Sequence, residues 1–259
     1  MYIKYGANSS LRNETRTVLE ELDLMTNIFA ISDIHGQFEQ LSEILSYWNK
    51  EDELVIMGDM IDRGDDSLKV IHILMEVKSS YPDKVIILKG NHEDMFLNYI
   101  ENPEANGDVY LSNGGDTTCY DFGVKENLRF MSYKSSAKIL LNTRRDEINF
   151  IKDTIPYYEF GKALFVHAGI DSFITDWRKS REEKFYWTEN IWMNRNETGK
   201  VIVFGHTPTQ LIHKDKSNDI WISKDKKYIG IDGGSGFRGQ LNAVLMNDKG
   251  ELLETYVAK

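Results

Sequence analysis

Apolar and polar positions in the first third of the chain follow a rhythm that predicts a β-α-β-α-β unit. Three short apolar runs, at residues 28–31, 54–57 and 85–88, are the expected strands. Two stretches between them place apolar side chains three and four residues apart, as on one face of a helix: Leu41, Ile44, Leu45 and Trp48, then Val70, Ile71, Leu74 and Val77. Continuous apolar runs between helices indicate parallel strands buried on both faces.

The rest of the chain predicts an insert and then a second set of strands. Residues 94–150 are polar and broken by proline and glycine, so we expect helices and loops over one end of the sheet, lining the substrate cleft. Apolar runs return at 163–166, 201–204, 228–231, 243–246 and 252–257, the last two joined by a hairpin-type turn at 247–250. The order predicts an α/β fold (α+β in some schemes), with two packed mixed β-sheets flanked by helices in one domain over 1–259. A helical pattern at 18–24 precedes it.

Composition narrows the class of protein. With 259 residues, 41% hydrophobic and 28% charged, the chain can bury a large core and is not disordered throughout. Its net charge of −10 argues against a nucleic-acid partner and against binding to an anionic membrane. The single cysteine, Cys119, fits a reducing compartment, and a polar N-terminus without long apolar runs predicts neither a secretory signal nor a membrane span. We therefore expect a cytoplasmic protein.

Five of the strand-like runs end in residue types that bind metal or phosphate. They read Asp-x-His-Gly at 33–36, Gly-Asp-x-x-Asp-Arg-Gly at 58–64, Gly-Asn-His-Glu at 90–93, His-Ala-Gly at 167–169 and Gly-His-Thr at 205–207. In α/β sheets, ligands bind beyond the carboxyl ends of the strands, so these loops are expected to converge. Each residue alone has an ordinary explanation as a turn former, but five motifs in one order favour a metal site.

This series of motifs resembles the phosphoprotein phosphatases of the calcineurin-like metallophosphatase superfamily, and the segment at 111–118 is similar to their bacterial serine/threonine branch. The resemblance implies the metallo-dependent phosphatase fold and a two-metal site. By position, Asp33, His35 and Asp59 would hold one ion. Asp59 would bridge to a second ion whose other ligands are Asn91, His167 and His206.

The ligand chemistry agrees with that implication. Imidazole and carboxylate ligands without a thiolate suit Mn²⁺, with Fe or Zn²⁺ as alternatives. Two cations sharing a water lower its pKa, so the resemblance implies direct in-line attack of a bridging hydroxide on phosphorus. His92 is the expected general acid, and Asp62 orients it. Arg63, with Asn91 and His92, would bind the phosphate, and Glu93 is expected to have a structural role at a helix start.

We predict a metal-dependent phosphomonoester hydrolase, a protein serine/threonine phosphatase acting on a phosphorylated protein or a small phosphoester. The alternative is a dinucleoside polyphosphate hydrolase, such as one acting on diadenosine tetraphosphate; a non-catalytic binding module would show a broken ligand set. Aromatic residues of the insert would either stack on adenine or pack, and we favour packing: Tyr110, Tyr120 and Phe122.

Two positions depart from the family pattern. Ser32 stands where many relatives have glycine, and Glu189 stands where relatives often carry a second phosphate-binding arginine. Four arginines are candidates to replace it: Arg178, Arg181, Arg195 and Arg238.

Overall fold

The computed structural model describes residues 27–125 and 130–259. The described chain begins with the predicted β-α-β-α-β unit: β1 Asn27–Ile31, α1 Phe38–Tyr47, β2 Glu53–Ile56, α2 Ser67–Ser80 and β3 Val85–Ile87. Strands β1, β2 and β3 pair in parallel, as continuous apolar runs predicted. The helical pattern expected at 18–24 lies outside the described residues.

The predicted insert is mainly helical where it is described. It comprises α3 Asn91–Glu101, α4 Pro103–Tyr110, a turn at Leu111–Gly115 that is kinked at Gly114, α5 Asp116–Asp121, α6 Tyr133–Thr143 and α7 Arg145–Lys152. Helix α3 begins inside the Gly-Asn-His-Glu motif, so the insert continues directly from a loop of the expected site.

The second half supplies the remaining strands and two short helices. In chain order they are β4 Tyr157–Phe160, β5 Ala163–Val166, α8 Glu183–Trp187, β6 Val201–Phe204, α9 Thr209–Ile212, β7 Trp221–Ile222, β8 Tyr228–Gly230, β9 Leu241–Asn247 and β10 Leu252–Ala258. Strands β4 and β7 were not predicted. β4 is an edge strand whose Glu159 pairs with Arg178 and Lys200, so it shows no apolar run, and β7 has only two residues.

Two five-stranded mixed sheets form the centre of the fold, in the orders β10-β9-β1-β2-β3 and β4-β5-β6-β8-β7. Strands β5, β6 and β8 are parallel, while β9, β10, β4 and β7 pair antiparallel with their neighbours. The β9–β10 hairpin closes at the predicted turn, where Gly250 has φ +75° and donates to the Asn247 carbonyl at 3.0 Å. The predicted architecture of two mixed sheets with flanking helices is confirmed.

The core is divided between the faces of the sheets. Along β1, Ile28 and Ala30 belong to a cluster with residues of the second sheet, whereas Phe29 and Ile31 belong to a cluster with the helices. A third cluster covers the outer face of the second sheet. The side chains on one face of β1 therefore pack between the two sheets, and those on its other face pack against the helices. Within the described ranges, no helix combines the length and the apolar character needed to span a bilayer.

Candidate metal centre

The carboxyl ends of six parallel strands carry the polar residues of the site. Strands β1, β2 and β3 of one sheet, and β5, β6 and β8 of the other, each run into a loop with a polar side chain, which is buried in five loops and partly buried in the case of His206 after β6. Five of these loops are the sequence motifs. The sixth, after β8, brings in Asp232, which the sequence analysis did not single out although it too follows an apolar run.

The site loops have a strained backbone. Six site residues adopt left-handed φ values between +48° and +73° without being glycine: Asp33, His35, Asp59, Asp62, Arg63 and His206. Each such conformation costs on the order of 1–3 kcal/mol and persists only where the surroundings enforce it. Motif glycines permit the close approach, since a Cβ on Gly90 would overlap the Asp59 carboxylate and one on Gly205 would overlap Asp33. Strain of this kind clusters at functional sites.

Two groups of metal-ligating side chains share Asp59. One group joins it to His35 and His92, and the other joins it to His167 and His206, with all ligand atoms of a group within 4.8 Å of one another. Asp59 Oδ2 lies 3.4 Å from His35 Nε2, while Oδ1 lies 3.4 Å from His167 Nε2. One carboxylate therefore presents a different oxygen to each group.

Two further expected ligands lie beside these groups. Asn91 Oδ1 is 2.9 Å from His167 Nε2 and 2.8 Å from His206 Nδ1, so it belongs with the second group. Asp33 is a member of neither group; its carboxylate accepts the backbone N–H of His206 at 3.0 and 3.1 Å and the hydroxyl of Ser32. The serine that departs from the family pattern thus contacts the Asp33 carboxylate directly.

Contacts with the main chain set the tautomers of two histidines. His35 Nδ1 lies 3.0 Å from the Ile61 carbonyl and His167 Nδ1 lies 2.9 Å from the Met57 carbonyl. Each Nδ1–H donates to its carbonyl, which leaves the Nε2 lone pair facing the site. The Arg63 guanidinium donates to His35 Nε2 at 2.7 Å, as expected for an unprotonated acceptor.

The electrostatics of the buried groups favour a bound cation. Burial, with repulsion between neighbouring carboxylates, raises the pKa of Asp33 and Asp59 well above the ordinary value, and burial raises the pKa of Asp232 to about 6. Burial also lowers the pKa of His35 and His167, and that of His206 to about 4. Neutral imidazoles are the form that binds metal, and a cation would compensate the buried carboxylates. The donor set therefore fits a pair of divalent ions.

The hydrogen bonds of His92 differ from those of the other histidines in the site. Its Nδ1 donates to Asp62 Oδ2 at 2.7 Å, and the ring is fully buried. Its Nε2 has no hydrogen-bond partner among the described residues and lies 4.0 Å from Asp59 Oδ2. A buried polar atom without a partner is rare in a folded protein and points to a ligand atom that completes it. This geometry suits a general acid and also brings His92 within reach of a metal.

Arg63 lies at the mouth of the site. Its Cζ is 4.4 Å from the centre of the exposed Phe237 ring, and a Cβ on Gly236 would overlap His35. The turn after β8 therefore passes close to the ligands.

The four candidate replacements for the missing arginine differ in their surroundings. Arg178, Arg181 and Arg195 form exposed ion pairs with Glu159, Glu183 and Glu197. Arg238 directly follows Phe237, the residue that packs on Arg63. Three of the four thus have carboxylate partners, and Arg238 is next in the chain to a residue at the mouth of the site.

Glu93 has the structural role that its sequence position suggested. Its carboxylate is fully buried and accepts three backbone N–H groups, from Asp59 and Met60 at 2.8 Å and from Gly90 at 2.9 Å. Burial raises the pKa of Glu93, and these hydrogen bonds oppose that rise. One side chain thereby ties the loop after β2 to the start of α3.

We expect Glu93→Gln to lower the free energy of unfolding by about 2–3 kcal/mol, because the amide nitrogen cannot accept and leaves at least one buried N–H unpaired. Urea unfolding monitored by circular dichroism measures the change. Glu43→Gln, at an exposed position in α1, is the matched control and should stay within about 0.5 kcal/mol of wild type. A Glu93→Gln protein as stable as the control would contradict this role.

The comparisons with known proteins agree with this arrangement. The family described as calcineurin-like phosphoesterase matches residues 26–234. The chain belongs to the calcineurin-like phosphoesterase family. The family together with the two ligand groups implies divalent metal ions.

Among curated proteins, the chain is similar to the serine/threonine-protein phosphatase ppe1 of Schizosaccharomyces pombe, with 40% identity over 70 residues. That alignment covers 26% of this chain and 23% of that protein, so the chain matches less than a quarter of the relative's length. The predicted resemblance to this class of phosphatases is confirmed.

Two solved structures share the fold. A putative diadenosine tetraphosphatase superposes with a TM-score of 0.62 at 16% identity, covering 92% of this chain and 96% of that one. A protein serine/threonine phosphatase from Saccharomyces cerevisiae with similarity to human phosphatase PP5 superposes with a TM-score of 0.58 at 14% identity, covering 90% and 80%. At these identities the likeness is one of fold alone.

Proposed function

We propose that this chain is a metal-dependent phosphomonoester hydrolase whose substrates are proteins phosphorylated on serine or threonine. The observation that carries the proposal is the position of Asp59, which offers one oxygen to each of two ligand groups beside the buried, unpartnered Nε2 of His92. Family membership supports a phosphoester as the substrate. A single cysteine, buried and free, is consistent with the cytoplasmic location that we propose.

The proposal assigns seven ligand contacts to two metal ions. Asp33, His35 and Asp59 would hold one ion, and Asp59, Asn91, His167 and His206 the other. Mn²⁺ suits these nitrogen and oxygen donors, with Fe or Zn²⁺ as alternatives. When bound, the ions supply positive charge to the phosphoryl oxygens and lower the pKa of a shared water.

The protein's own groups act on the phosphate and on the leaving oxygen. Arg63, a planar guanidinium at the mouth of the site, binds two phosphoryl oxygens, and Asn91 and His92 contribute further contacts. His92 Nε2 gives a proton to the leaving alkoxide as the P–O bond breaks. Asp62, on the other side of the ring, keeps the imidazole oriented during that transfer.

The charge around the neighbouring cavity favours a protein substrate over a dinucleoside polyphosphate. A cavity of about 1000 Å³ in the insert begins at Asp65, two residues after Arg63. The described lining contains one lysine, Lys125, and five carboxylates: Asp65, Glu104, Asp108, Asp116 and Asp121. Additional phosphates would meet repulsion there, whereas a polypeptide with basic residues would not. Tyr110 and Phe122 are fully buried, so they pack and do not present a stacking face for adenine, whereas Tyr120 is exposed and lines the cavity.

A substrate comparison tests this proposal. With Mn²⁺, we expect kcat/KM for a phosphoserine peptide to exceed that for diadenosine tetraphosphate by at least ~10-fold, a difference that pocket electrostatics readily supplies. Steady-state assays of phosphate release from the peptide, and chromatography of the nucleotide products, give both constants. A large preference for the dinucleotide would establish the alternative, to which the putative diadenosine tetraphosphatase of similar fold points. Absence of turnover of p-nitrophenyl phosphate with any divalent ion would instead favour a binding module.

A further inference from the structure

The Asp62 carboxylate is the centre of a buried hydrogen-bond network. Its Oδ2 accepts from His92 Nδ1 at 2.7 Å, while its Oδ1 accepts from the Tyr110 hydroxyl at 2.8 Å and from the Thr118 hydroxyl at 2.6 Å. All four side chains are fully buried. The Asp62 backbone N–H also donates to Thr118 Oγ1 at 2.9 Å and to Ser67 Oγ at 3.1 Å.

The two hydroxyl donors come from one segment of the helical insert. Tyr110 is the last residue of α4 and Thr118 lies in α5, with the turn Leu111–Gly115, kinked at Gly114, between them. Within that turn, the Gly114 carbonyl accepts the Arg63 backbone N–H at 3.1 Å. The same segment therefore contacts both the partner of His92 and the residue that follows it.

Packing leaves the Tyr110 hydroxyl little freedom. Its ring is stacked on Tyr99 at 5.1 Å and tilted against Phe96 at 5.6 Å, and a Cβ on Gly115 would overlap it. In a buried network each satisfied donor restricts its neighbours, because any rearrangement would leave a polar group unpaired. Two donors on Oδ1 thus leave Oδ2 for His92 and fix the plane of the carboxylate.

We propose that Tyr110 and Thr118 are positioning residues that hold Asp62 so that His92 Nε2 points at the leaving oxygen. This inference rests on the proposed function, because that proposal makes His92 the general acid. It gives the helical insert a role in proton transfer, in addition to any contact that the insert makes with the substrate. Misaligned proton donation matters most when the leaving group is a strong base. A seryl alkoxide needs the proton, whereas p-nitrophenolate, a far weaker base, departs nearly as well without it.

The experiment compares two substrates in three variants: Tyr110→Phe, Thr118→Val and the double variant. We expect each single variant to lower the ratio of kcat for a phosphoserine peptide to kcat for p-nitrophenyl phosphate by about 10-fold, with KM and metal content near wild type. Thr118→Ser keeps the hydroxyl and should restore most of the ratio. Tyr99→Phe is the matched control, because that neighbouring tyrosine donates to the Tyr133 carbonyl and not to Asp62.

An independent measurement separates this inference from the proposed function. In the NMR spectrum of the protein loaded with diamagnetic Zn²⁺, the Nδ1–H proton of His92 should move upfield and exchange faster with water in Tyr110→Phe and Thr118→Val, but not in Tyr99→Phe. That shift would support the positioning role even if wild type hydrolysed neither substrate, a result that would refute only the proposed function. An unchanged resonance together with an unchanged substrate ratio would overturn the inference.

Discussion

Replacing His92 with asparagine is expected to lower kcat for a phosphoserine peptide by about 10²–10⁴-fold, the usual contribution of a general acid. The reason is geometric: Nε2 of His92 is buried and has no hydrogen-bond partner among the described residues, and Asp62 holds the ring from its other side. The loss on p-nitrophenyl phosphate should be much smaller, because its leaving group requires no proton. Steady-state kinetics on both substrates measure the two losses.

Metal analysis of the same protein decides between the two roles open to His92. If His92 is a general acid, its replacement leaves both metal ions bound. Its ligand atom also lies within 4.8 Å of those of His35 and Asp59, so His92 could instead be a metal ligand. We expect two equivalents of metal in the His92→Asn protein by mass spectrometry of the eluted ions. Loss of an equivalent would reassign His92 as a ligand. His72→Asn is the control, since His72 is exposed, pairs with Glu147 and should keep wild-type rates.

Asp59→Asn is expected to remove both metal ions and to lower kcat by at least about 10³-fold, because each ion is worth several kcal/mol of transition-state stabilisation. Asp59 alone belongs to both ligand groups, with Oδ2 toward His35 and Oδ1 toward His167. An amide offers one neutral oxygen in place of two charged ones. Metal content after dialysis against a defined Mn²⁺ concentration is the measurement, and two full equivalents in the variant would refute the bridging assignment.

Thermal unfolding tests whether the loss of activity in Asp59→Asn is caused by misfolding. Burial raises the pKa of Asp59, with further repulsion from Asp33 and Glu93, so the folded state binds its proton more tightly than the unfolded state does. The ionised carboxylate therefore destabilises the metal-free fold at neutral pH, and that penalty grows as the pH rises toward neutrality. We expect metal-free Asp59→Asn to be at least as stable as metal-free wild type, and only wild type to gain stability on adding Mn²⁺. Asp83→Asn, in an exposed turn, is the control that should behave as wild type.

Much of the core fold was predictable because its signals are local. The strands at 163–166 and 201–204 were predicted with the bounds that the structure has, and the parallel pairing of β1 to β3 followed from runs that are apolar throughout. β4 was missed because an edge strand is paired on one side only, so it tolerates Glu159 and its partner cations. The continuous apolar run that predicts a strand buried on both faces is therefore absent from β4.

The candidate site was predictable only in part, from the positions of the motifs after the apolar runs. Each motif follows an apolar run, and ligands bind beyond the carboxyl ends of strands in α/β folds, which was enough to expect the convergence of Asp59, Asn91 and His167. Asp232 after β8 carries the same signal, because it too follows an apolar run. Tyr110 and Thr118 carry no such signal, because they lie in an insert whose helices dock on the site through contacts more than 45 residues apart in sequence.

The residue types that end each buried strand, and hence the kind of chemistry available at the sheet edge, follow from the amino-acid sequence. Packing of distant segments was needed to establish which oxygen of Asp59 faces which histidine, that Asp33 is held by the His206 backbone, and that the insert supplies two donors to Asp62. This difference arises from the range of the forces involved. Burial and backbone preference act on neighbouring residues and leave a periodic trace, whereas a hydrogen bond between distant loops depends on distances of a few tenths of an ångström that appear only after the core has packed.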